Sequence, residues 1–600
     1  MKNKVSLITI YIISIIVLLI SVKKKWVGHD GQYWRAIIQS DGYGYYSYLP
    51  CAFIYHSFNY EKYVNDIIDI RQGVSSKDVW NPFPKSVNNK RCDKCYVGVS
   101  VLMLPFFMIA YFLSYLLGYP LDGISYIFQI FVSIASLFYL ITGLVYLRKL
   151  FKLHALSDKA TAFILFLIVF GTNLLYYATM EPSMSHVFSF SLTSIFLYTI
   201  KKYSDSYKVK YLLGIVVSSS ILIIIRPTNL LSVLFIPFVC GSYTNFSRFI
   251  KNLFAGWKVL PVFLLSATII FIQPLVWYLQ TGVFLVNSYP GESFNFYRPH
   301  FFDILFSYKN GWYLYTPIMF FIALGSVAML LMKSKFQGIC FLLFIIIVVY
   351  ALSSWWCWWY GGFGNRAFID FYPEFALAIG IVFVYLKSHR VWVFAVCVSF
   401  LCIFLNLFQT LQYYNFILPF ADINKEKYWK VFLKRDSYYV GIFNFPDTTT
   451  YNILPIGNCI YDFKNLADSK YIANDIFYRG QHPIIVSKEN PIQQIFSRNV
   501  GKLLNEKFLN LYLNIWEYMP DFDNRSAFDI KIMTAKGDCY FNKSMPLLGY
   551  ASEKKIWSQA YSLIALPPLK DSTDILNISV ENQISKVYID NPSVRFAIPK

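Results

Sequence analysis

Apolar segments of close to 20 residues recur along the sequence as far as residue 408, and they restrict what the chain can fold into. Each is long enough, as an α-helix, to cross a hydrocarbon core about 30 Å thick. Lipid offers no partner for backbone N–H and C=O groups, so a helix is the structure that such a segment adopts there. Since 56% of its residues are hydrophobic, the chain is predicted to be a polytopic α-helical membrane protein.

The first apolar run, Val5 to Val22, is followed by Lys23-Lys24-Lys25 and by no small-residue cleavage site. We therefore interpret it as an uncleaved first helix and not as a signal peptide. The later runs lie at about 96–117, 123–147, 160–178, 187–200, 211–225, 230–243, 257–279, 312–332, 336–352, 373–386 and 391–408.

Much of the net charge of +20 lies in short loops between the apolar runs. This distribution is typical of cytoplasmic loops, and the lack of a basic stripe argues against nucleic-acid binding. The predicted cytoplasmic loops contain Arg148-Lys149 with Lys152 and Lys159, Lys201-Lys202 with Lys208 and Lys210, Arg248 with Lys251, Lys333 with Lys335, and Lys387 with Arg390. The predicted external segments are the loops at Asp41, Glu181 and Arg226, residues 280–311 and 353–372, and everything after Phe408.

This alternation determines how many runs cross. If Met1 is inside, residues 23–95 are outside and the 123–147 helix must return inward, so the run at 96–117 cannot cross. Pro105 is predicted to break that run and Gly118-Tyr119-Pro120 to end it, which makes it a juxtamembrane part of the first external loop, 23–122. The prediction is about eleven crossings. The external position of Lys23-Lys24-Lys25 violates the positive-inside rule. Only snorkelling of the side chains or contacts with lipid phosphates account for this position.

Residues 409–600 are more polar and alternate with period two, which predicts a separate extracytoplasmic β-sandwich. The clearest runs are 528–532, 576–580 and 587–589. The last strands resemble those of jelly-roll carbohydrate-binding modules. A domain that binds glycan and a lid or spacer that binds nothing are both open. Cys92 with Cys95, and Cys459 with Cys539, are candidate disulfides if these regions are external.

The acidic residues gather at one membrane interface. Asp41, Glu181, Asp303, Asp370 and Glu374 are all predicted to be external, and the helix interiors carry almost no charge. A proton- or ion-coupled transporter is expected to place ionisable groups at mid-membrane depth. The pattern therefore favours chemistry at the interface over transport.

The stretch from Asp41 to Pro50 is the strongest candidate for a catalytic loop. Its single carboxylate stands among Tyr43, Tyr45 and Tyr46, and we expect these rings to contact substrate. Interfacial tyrosines are often simple anchors, which explains the rings but not the acid. The flanking glycines are expected to give the backbone the freedom to bring Asp41 to a ligand.

Glu181 precedes Pro182 and His186 in the second external loop. Proline is favoured at the first helical position, and an acid just before it meets the positive end of the helix dipole. We therefore expect a helix that begins here and an ionised Glu181, either as a simple cap or as a site residue. His186 is either a substrate contact or a hydrogen-bonded interface histidine.

Two arginines are candidates for binding phosphate. Arg226 lies at an external helix end, where it needs an anionic partner. Arg366 follows a glycine-rich stretch and a tryptophan cluster that includes Trp358, whose ring either stacks on a sugar or belongs to an aromatic belt. Asp370 is a further substrate-binding candidate, although the spacing from Arg366 equally allows a local ion pair.

Residues 1–408 resemble the GT-C glycosyltransferases, especially the branch of protein O-mannosyltransferases and lipid A aminoarabinose transferases. The resemblance is carried by an acid after the first helix, an interfacial stretch, the acid–proline pair at Glu181 and the late Gly-Arg stretch at Arg366. It implies that Asp41 contacts or deprotonates the acceptor, that Glu181 is the second catalytic acid, and that Arg226 and Arg366 hold the donor phosphate. Because a paired Asp-Glu of some members is absent, a divalent cation (Mg²⁺ or Mn²⁺) on Asp41 and Glu181 stays open.

The resemblance further implies transfer of a hexosyl or pentosyl group from a polyprenyl-phosphate-linked donor, with inversion by a single displacement. The acceptor is a lipid, a glycan or a protein, and membrane lipid surrounds the helices. The expected location is the inner membrane of a bacterium, with the site and the C-terminal domain on the periplasmic side. The alternatives are a polysaccharide polymerase or ligase, a lipid or glycan transporter, and a non-enzymatic envelope protein.

Overall fold

The computed structural model divides into two compact units, one of helices up to Leu411 and one formed by Glu426–Lys600. It describes residues 4–27, 33–60, 90–256, 259–386, 388–415, 417–419, 423–435, 439, 451–460, 483–504, 509–518, 526–547, 557–582 and 586–599.

Each apolar run found in the sequence is mostly helical. The α-helices are α1 Val5–Ser21, α2 Asp41–Phe53, α3 Gly98–Leu117, α4 Tyr126–Leu153, α5 Asp158–Phe170, α6 Leu174–Thr179, α7 His186–Ser206, α8 Val209–Ile225, α9 Ile236–Cys240, α10 Tyr243–Leu253, α11 Val259–Thr281, α12 Phe301–Phe306, α13 Trp312–Tyr315, α14 Pro317–Lys333, α15 Lys335–Ser353, α16 Tyr372–Tyr385, α17 His389–Tyr414 and α18 Lys425–Val431. A π-helical turn, Val22–Trp26, extends α1, and 3₁₀ turns at Pro227–Phe235 and Arg366–Phe371 precede α9 and α16.

Seven helices in the described part of the chain are long and apolar enough to cross a membrane. They are Val5–Trp26, Gly98–Leu117, Tyr126–Leu153, Leu260–Thr281, Lys335–Ser353, Arg366–Tyr385 and His389–Tyr414. Other runs are shorter or interrupted, as at residues 171–173, which separate α5 from α6. The fold is that of a polytopic helical protein, and the count of about eleven crossings stays a prediction.

The expectation that Pro105 breaks the 96–117 run is wrong. Helix α3 continues through Pro105 over 20 residues, because one missing amide bends a long helix without ending it when both flanks propagate well. The predicted stop is confirmed: Gly118 adopts a left-handed conformation (φ 70°), and its amide and that of Tyr119 bond the last carbonyls.

The two ends of α1 have different neighbours. At the first end, the Ser6 amide donates to Asp158 Oδ2 at 3.1 Å, and Arg148 Nε donates to the Ser6 hydroxyl at 2.6 Å. At the other end, Lys25 Nζ donates to the Ala36 carbonyl at 3.1 Å. The start of the chain and the basic loop at Arg148 therefore lie at the same end of the helical unit.

The second unit is a sandwich of two antiparallel sheets around one hydrophobic core. Its strands are β1 Tyr451–Ile460, β2 Ile484–Val486, β3 Ile492–Asn499, β4 Asn510–Tyr518, β5 Ala527–Met533, β6 Cys539–Pro546, β7 Trp557–Ala565, β8 Ile575–Glu581 and β9 Val587–Pro599. One sheet has the order β1-β9-β4-β7 with β2 also on β9, and the other has the order β3-β8-β5-β6. This alternation between sheets is that of a jelly roll. The predicted period-two runs are confirmed as strands; Phe528, Ile530 and Ile532, for example, face the core.

The segment predicted as a flexible catalytic loop is a helix. Asp41 is the first residue of α2, and neither Gly42 nor Gly44 has a positive φ. The glycines instead allow close packing: a Cβ at Gly42 would overlap the Ser183 hydroxyl, and one at Gly44 would lie 2.7 Å from Asp93 Oδ1. The explanation from backbone freedom is therefore wrong, and the missing side chains let the start of α2 approach the Glu181 turn.

We expect Gly42→Ala to destabilise the protein although alanine favours helix. Alanine gains about 1 kcal/mol in helix propensity, whereas overpacking against Ser183 costs about 1–3 kcal/mol. The matched control is Gly325→Ala in α14, where nothing lies within 4 Å of an added Cβ. Thermal unfolding in detergent should show a lower midpoint for the first variant only, and equal midpoints would contradict this account of the packing.

Candidate active site

Asp41 and Arg366 form the central ion pair of the site, between Asp41 Oδ2 and Arg366 Nη2. The two side chains are 21% and 13% exposed, so the pair is partly screened from water. The guanidinium carbon of Arg366 also lies 5.0 Å from the centroid of the Tyr360 ring, a cation–π arrangement. At Gly362 (φ 136°) a Cβ would overlap the Tyr177 hydroxyl, so this glycine lets the Arg366 segment approach α6.

Glu181 lies in a turn five residues before α7 and is 5% exposed. Its Oε1 accepts a hydrogen bond from the Tyr176 hydroxyl at 3.2 Å. Burial raises the pKa of the Glu181 carboxyl, and the charges of Arg366 and Lys25 oppose that rise. The expected cap is wrong, because α7 begins at His186 with Ser185 as its N-cap residue. Nearby cations, and not a helix dipole, favour the ionised acid.

Asp370 joins His186 to Arg226. Its Oδ1 lies 2.9 Å from His186 Nδ1, and its Oδ2 lies 3.6 Å from Arg226 Nη1. Both His186 and Asp370 are buried, and Arg226 Nη1 has no hydrogen-bond partner among the described residues. Arg226 therefore keeps a donor for a ligand. The local pair between Arg366 and Asp370 that the spacing allowed does not form, because each residue pairs with a different loop.

The predicted aromatic contacts divide into two groups. Tyr45 is buried, and the Arg226 charge acts on its hydroxyl, so it belongs to the site. Tyr46 points elsewhere, because its hydroxyl donates to the Gly123 carbonyl at 2.6 Å. Tyr43 packs on the cluster of Cys51, Tyr60 and Ile124.

Trp358 is buried, and its ring stacks on His300 at 5.8 Å. The structure therefore brings together Asp41, Tyr45, Glu181, His186, Arg226, Arg366 and Asp370. Tyr43, Tyr46 and Trp358 instead make the packing, hydrogen-bond and ring contacts described above.

Asp93 is a carboxylate that the sequence analysis missed. It is fully buried beside Gly44, where it accepts hydrogen bonds from the Ser47 hydroxyl at 2.6 Å and the Cys95 amide at 2.8 Å. Burial raises the pKa of the Asp93 carboxyl well above its usual range, against those hydrogen bonds. No pattern marks it in the sequence, since it stands alone in a polar loop. Lys25 acts on Glu181, and Tyr289 and Tyr360 act on Arg226, yet none of the three is predicted as a site residue.

The disulfide between Cys92 and Cys95 is not formed, and both side chains are buried. The Cys95 thiol instead lies 3.5 Å from the Asp41 carbonyl, where it supports the start of α2. Cys539 is also free, and the Cys459 side chain lies outside the described residues.

The residues around Asp41 and Glu181 do not fit a divalent cation. The Arg366 guanidinium pairs with Asp41, and its charge also acts on Glu181, so it competes with a cation for the two acids. Among the described residues, no group of three or more His, Cys, Asp or Glu side chains converges as metal ligands would. We therefore derive no step through a metal.

No family model and no curated protein matches the sequence. Solved structures that it resembles include the archaeal oligosaccharyltransferase AglB from Archaeoglobus fulgidus, in complex with an inhibitory peptide and a dolichol-phosphate, and the arabinosyltransferase EmbB from Mycobacterium smegmatis. AglB is 11% identical with a TM-score of 0.34, over 72% of this chain and 59% of its own. EmbB is 10% identical with a TM-score of 0.32, over 99% of this chain and 64% of its own.

Both are GT-C glycosyltransferases, the superfamily that the sequence resembles. The chain spans less than two thirds of the length of either protein. At these TM-scores the likeness establishes neither the family nor the activity of this chain.

The buried Asp93 leads to a prediction about pH. Burial raises the pKa of Asp93 in the folded state. Its contribution to stability is therefore present below the unfolded-state pKa of about 4, and it is lost as pH rises toward the folded-state pKa. Asp93→Asn reproduces the shape of the protonated acid, so it should unfold at a higher temperature than the wild type in mildly alkaline detergent solution. Its midpoint should also fall less as pH rises. A pH dependence unchanged by the substitution would contradict a neutral, buried Asp93.

Proposed function

We propose that this protein is a membrane glycosyltransferase that moves a sugar from a polyprenyl-phosphate-linked donor to an envelope acceptor. The observation that carries the proposal is the meeting of Asp41, Glu181 and Arg366, which come from three separate segments of the chain, at one end of the helical unit. An acid that can take a proton thus stands beside a cation that can hold a phosphate. These are the two groups that a glycosyl transfer from a phosphate ester requires.

The reaction is a single displacement at the anomeric carbon. The acceptor hydroxyl oxygen forms the new bond to that carbon while its proton passes to the Asp41 carboxylate. The bond from carbon to phosphate oxygen breaks, and the electron pair stays on the phosphate. Since the leaving phosphate is already an anion, it needs charge stabilisation and no protein acid. Attack opposite the leaving group inverts the anomeric centre.

Arg366 and Arg226 supply the stabilising charge. A planar guanidinium offers paired donors that suit phosphate oxygens, and Arg226 Nη1 has no hydrogen-bond partner among the described residues. Arg366 pairs with Asp41, so a phosphate that binds Arg366 competes with that carboxylate for the same donors. Donor binding therefore frees Asp41 for the acceptor hydroxyl, and the donor binds first.

A donor linked to a polyprenyl lipid implies where the site lies in the membrane and what surrounds it. The site stands on the extracytoplasmic side of a bacterial inner membrane, the polyprenyl chain lies among the apolar helices, and lipid, glycan or protein serves as acceptor. The β-sandwich unit binds glycan. This part of the proposal has the support of a jelly-roll topology alone.

The test of this function is a comparison of donors. Purified protein in lipid nanodiscs, with an envelope extract as acceptor, receives labelled hexoses and pentoses linked either to undecaprenyl phosphate or to a nucleotide. Transfer from one or more of the lipid-linked sugars and none from the nucleotide sugars is the expected result. Transfer from nucleotide sugars alone would overturn the proposal.

Asp41→Asn should lower turnover by about 10²–10⁴-fold, roughly 3–5 kcal/mol in the barrier, because asparagine cannot take the acceptor proton. Donor affinity should not fall, since the substitution removes a carboxylate that competes with phosphate for Arg366. The control is Asp303→Asn, which changes an exposed acid paired with His300. Turnover and donor binding are measured separately, and near-normal turnover of Asp41→Asn would show that Asp41 is not the base.

A further inference from the structure

Trp356 presents an exposed ring in a fixed orientation. Its side chain is 47% exposed, more than any other tryptophan at 355–359. The indole Nε1 donates to Glu292 Oε2 at 3.1 Å, and the backbone amide of Trp356 donates to the Ser293 carbonyl at 3.1 Å. Trp359 meets the ring edge to face, with 6.5 Å between centroids. A ring held in this way has little rotamer freedom to lose when a ligand binds its face, so it is preorganised.

Charged groups lie at the edge of that ring. The other oxygen of Glu292, Oε1, forms an ion pair with Lys94, whose ammonium lies 5.0 Å from the centroid of the Tyr289 ring. The Lys94 and Glu292 side chains are 17% and 21% exposed, so a ligand can reach both charges. The cluster thus offers an apolar ring face next to a carboxylate acceptor and an ammonium donor.

The direction of the indole N–H argues against a place for Trp356 in an aromatic belt. A tryptophan in such a belt keeps its ring in the apolar layer and its N–H toward the wet headgroup region. The N–H of Trp356 is instead bonded to a protein carboxylate. Lipid tails on this ring would also remove water from the Lys94–Glu292 pair, which is costly for charged groups.

The cluster lies beside the proposed catalytic centre. Its lysine is followed directly by Cys95, whose thiol lies 3.5 Å from the Asp41 carbonyl. Its exposed tryptophan lies four residues before Tyr360, and the Arg366 guanidinium carbon is 5.0 Å from the centroid of that tyrosine ring. The two segments that form the cluster are therefore the ones that contact both members of the central ion pair.

We propose that Trp356, Glu292 and Lys94 form a binding subsite for a sugar ring. The inference deepens the proposed function, on which its link to transfer rests. A sugar has an apolar face of C–H groups that stacks on an aromatic ring, and hydroxyls that donate to a carboxylate and accept from an ammonium. The sugar belongs to the donor or to the acceptor, since both present this chemistry. Trp358, the ring that the sequence suggests for stacking, is buried against His300, so its exposed neighbour takes this role.

The direct test is a titration of the protein in nanodiscs with methyl glycosides of common hexoses, N-acetylhexosamines and pentoses, followed by saturation-transfer NMR. These probes carry neither lipid nor phosphate. The wild type should bind at least one of them, and Trp356→Ala should bind it about tenfold more weakly, or about 1.4 kcal/mol. Trp356→Phe, which keeps a ring, should have an intermediate affinity. The control Trp392→Ala removes a 38% exposed ring that packs on Phe163, and it should leave the affinity unchanged.

The transfer assay shows which sugar the subsite holds. Trp356→Ala should raise KM about tenfold for the donor or for the acceptor, with kcat little changed, because the contact is made before and during transfer. The proposal is overturned if the wild type binds none of the glycosides, or if a folded Trp356→Ala protein binds them equally well. Brominated lipid that quenches less fluorescence in Trp356→Phe than in the wild type would place the ring in the membrane interface, and would overturn it too. Glycoside binding without any transfer by the wild type would defeat the proposed function and leave the subsite standing.

Discussion

The Arg366 guanidinium connects parts of the helical unit that are far apart in sequence. It pairs with Asp41 at the start of α2, stacks on Tyr360, and exerts its charge on Glu181 in the turn before α7. A single planar cation can do this because its donors point in several directions while its face binds an aromatic ring. Its position in turn depends on the 3₁₀ turn that precedes α16 and on Gly362, where any side chain would overlap Tyr177.

Close backbone packing brings the other partners to Arg366. Gly42 lets the start of α2 lie against Ser183, and Gly44 lets the next part of that helix lie against Asp93 and Cys95. The hydrogen bonds of Asp93 then tie α2 to the loop that leads into α3. The site is thus held by contacts that tolerate no added methyl group, and its charges keep their places without a disulfide among the described residues.

The sequence predicts most of this fold, because apolar runs and period-two alternation are local signals. The apolar runs are mostly helical, and the predicted C-terminal strands are present. The loop residues Asp41, Glu181, Arg226, Arg366 and Asp370 could also be found, since an ionisable group at an apolar interface needs a partner. The partners themselves could not be predicted, because Arg366 has an acid four residues away and pairs instead with one 325 residues away. Likewise, the direction of the Tyr46 side chain depends on its position around helix α2, a segment that the sequence predicts as a loop.

Two acids of the site are paired with arginines. Asp41 pairs with Arg366, and Asp370 pairs with Arg226. Such pairing avoids the cost of an uncompensated charge away from water, and it also means that an incoming phosphate finds each arginine already paired. A phosphate that takes Arg366 must therefore weaken the Asp41–Arg366 pair, whereas Arg226 Nη1 has no hydrogen-bond partner among the described residues. The Asp41 carboxylate is 21% exposed, against 2% for Asp370 in the other pair, so water can solvate Asp41 once a phosphate takes its arginine. Under the proposed function, the charge balance of the site would then couple donor binding to activation of Asp41 as the base.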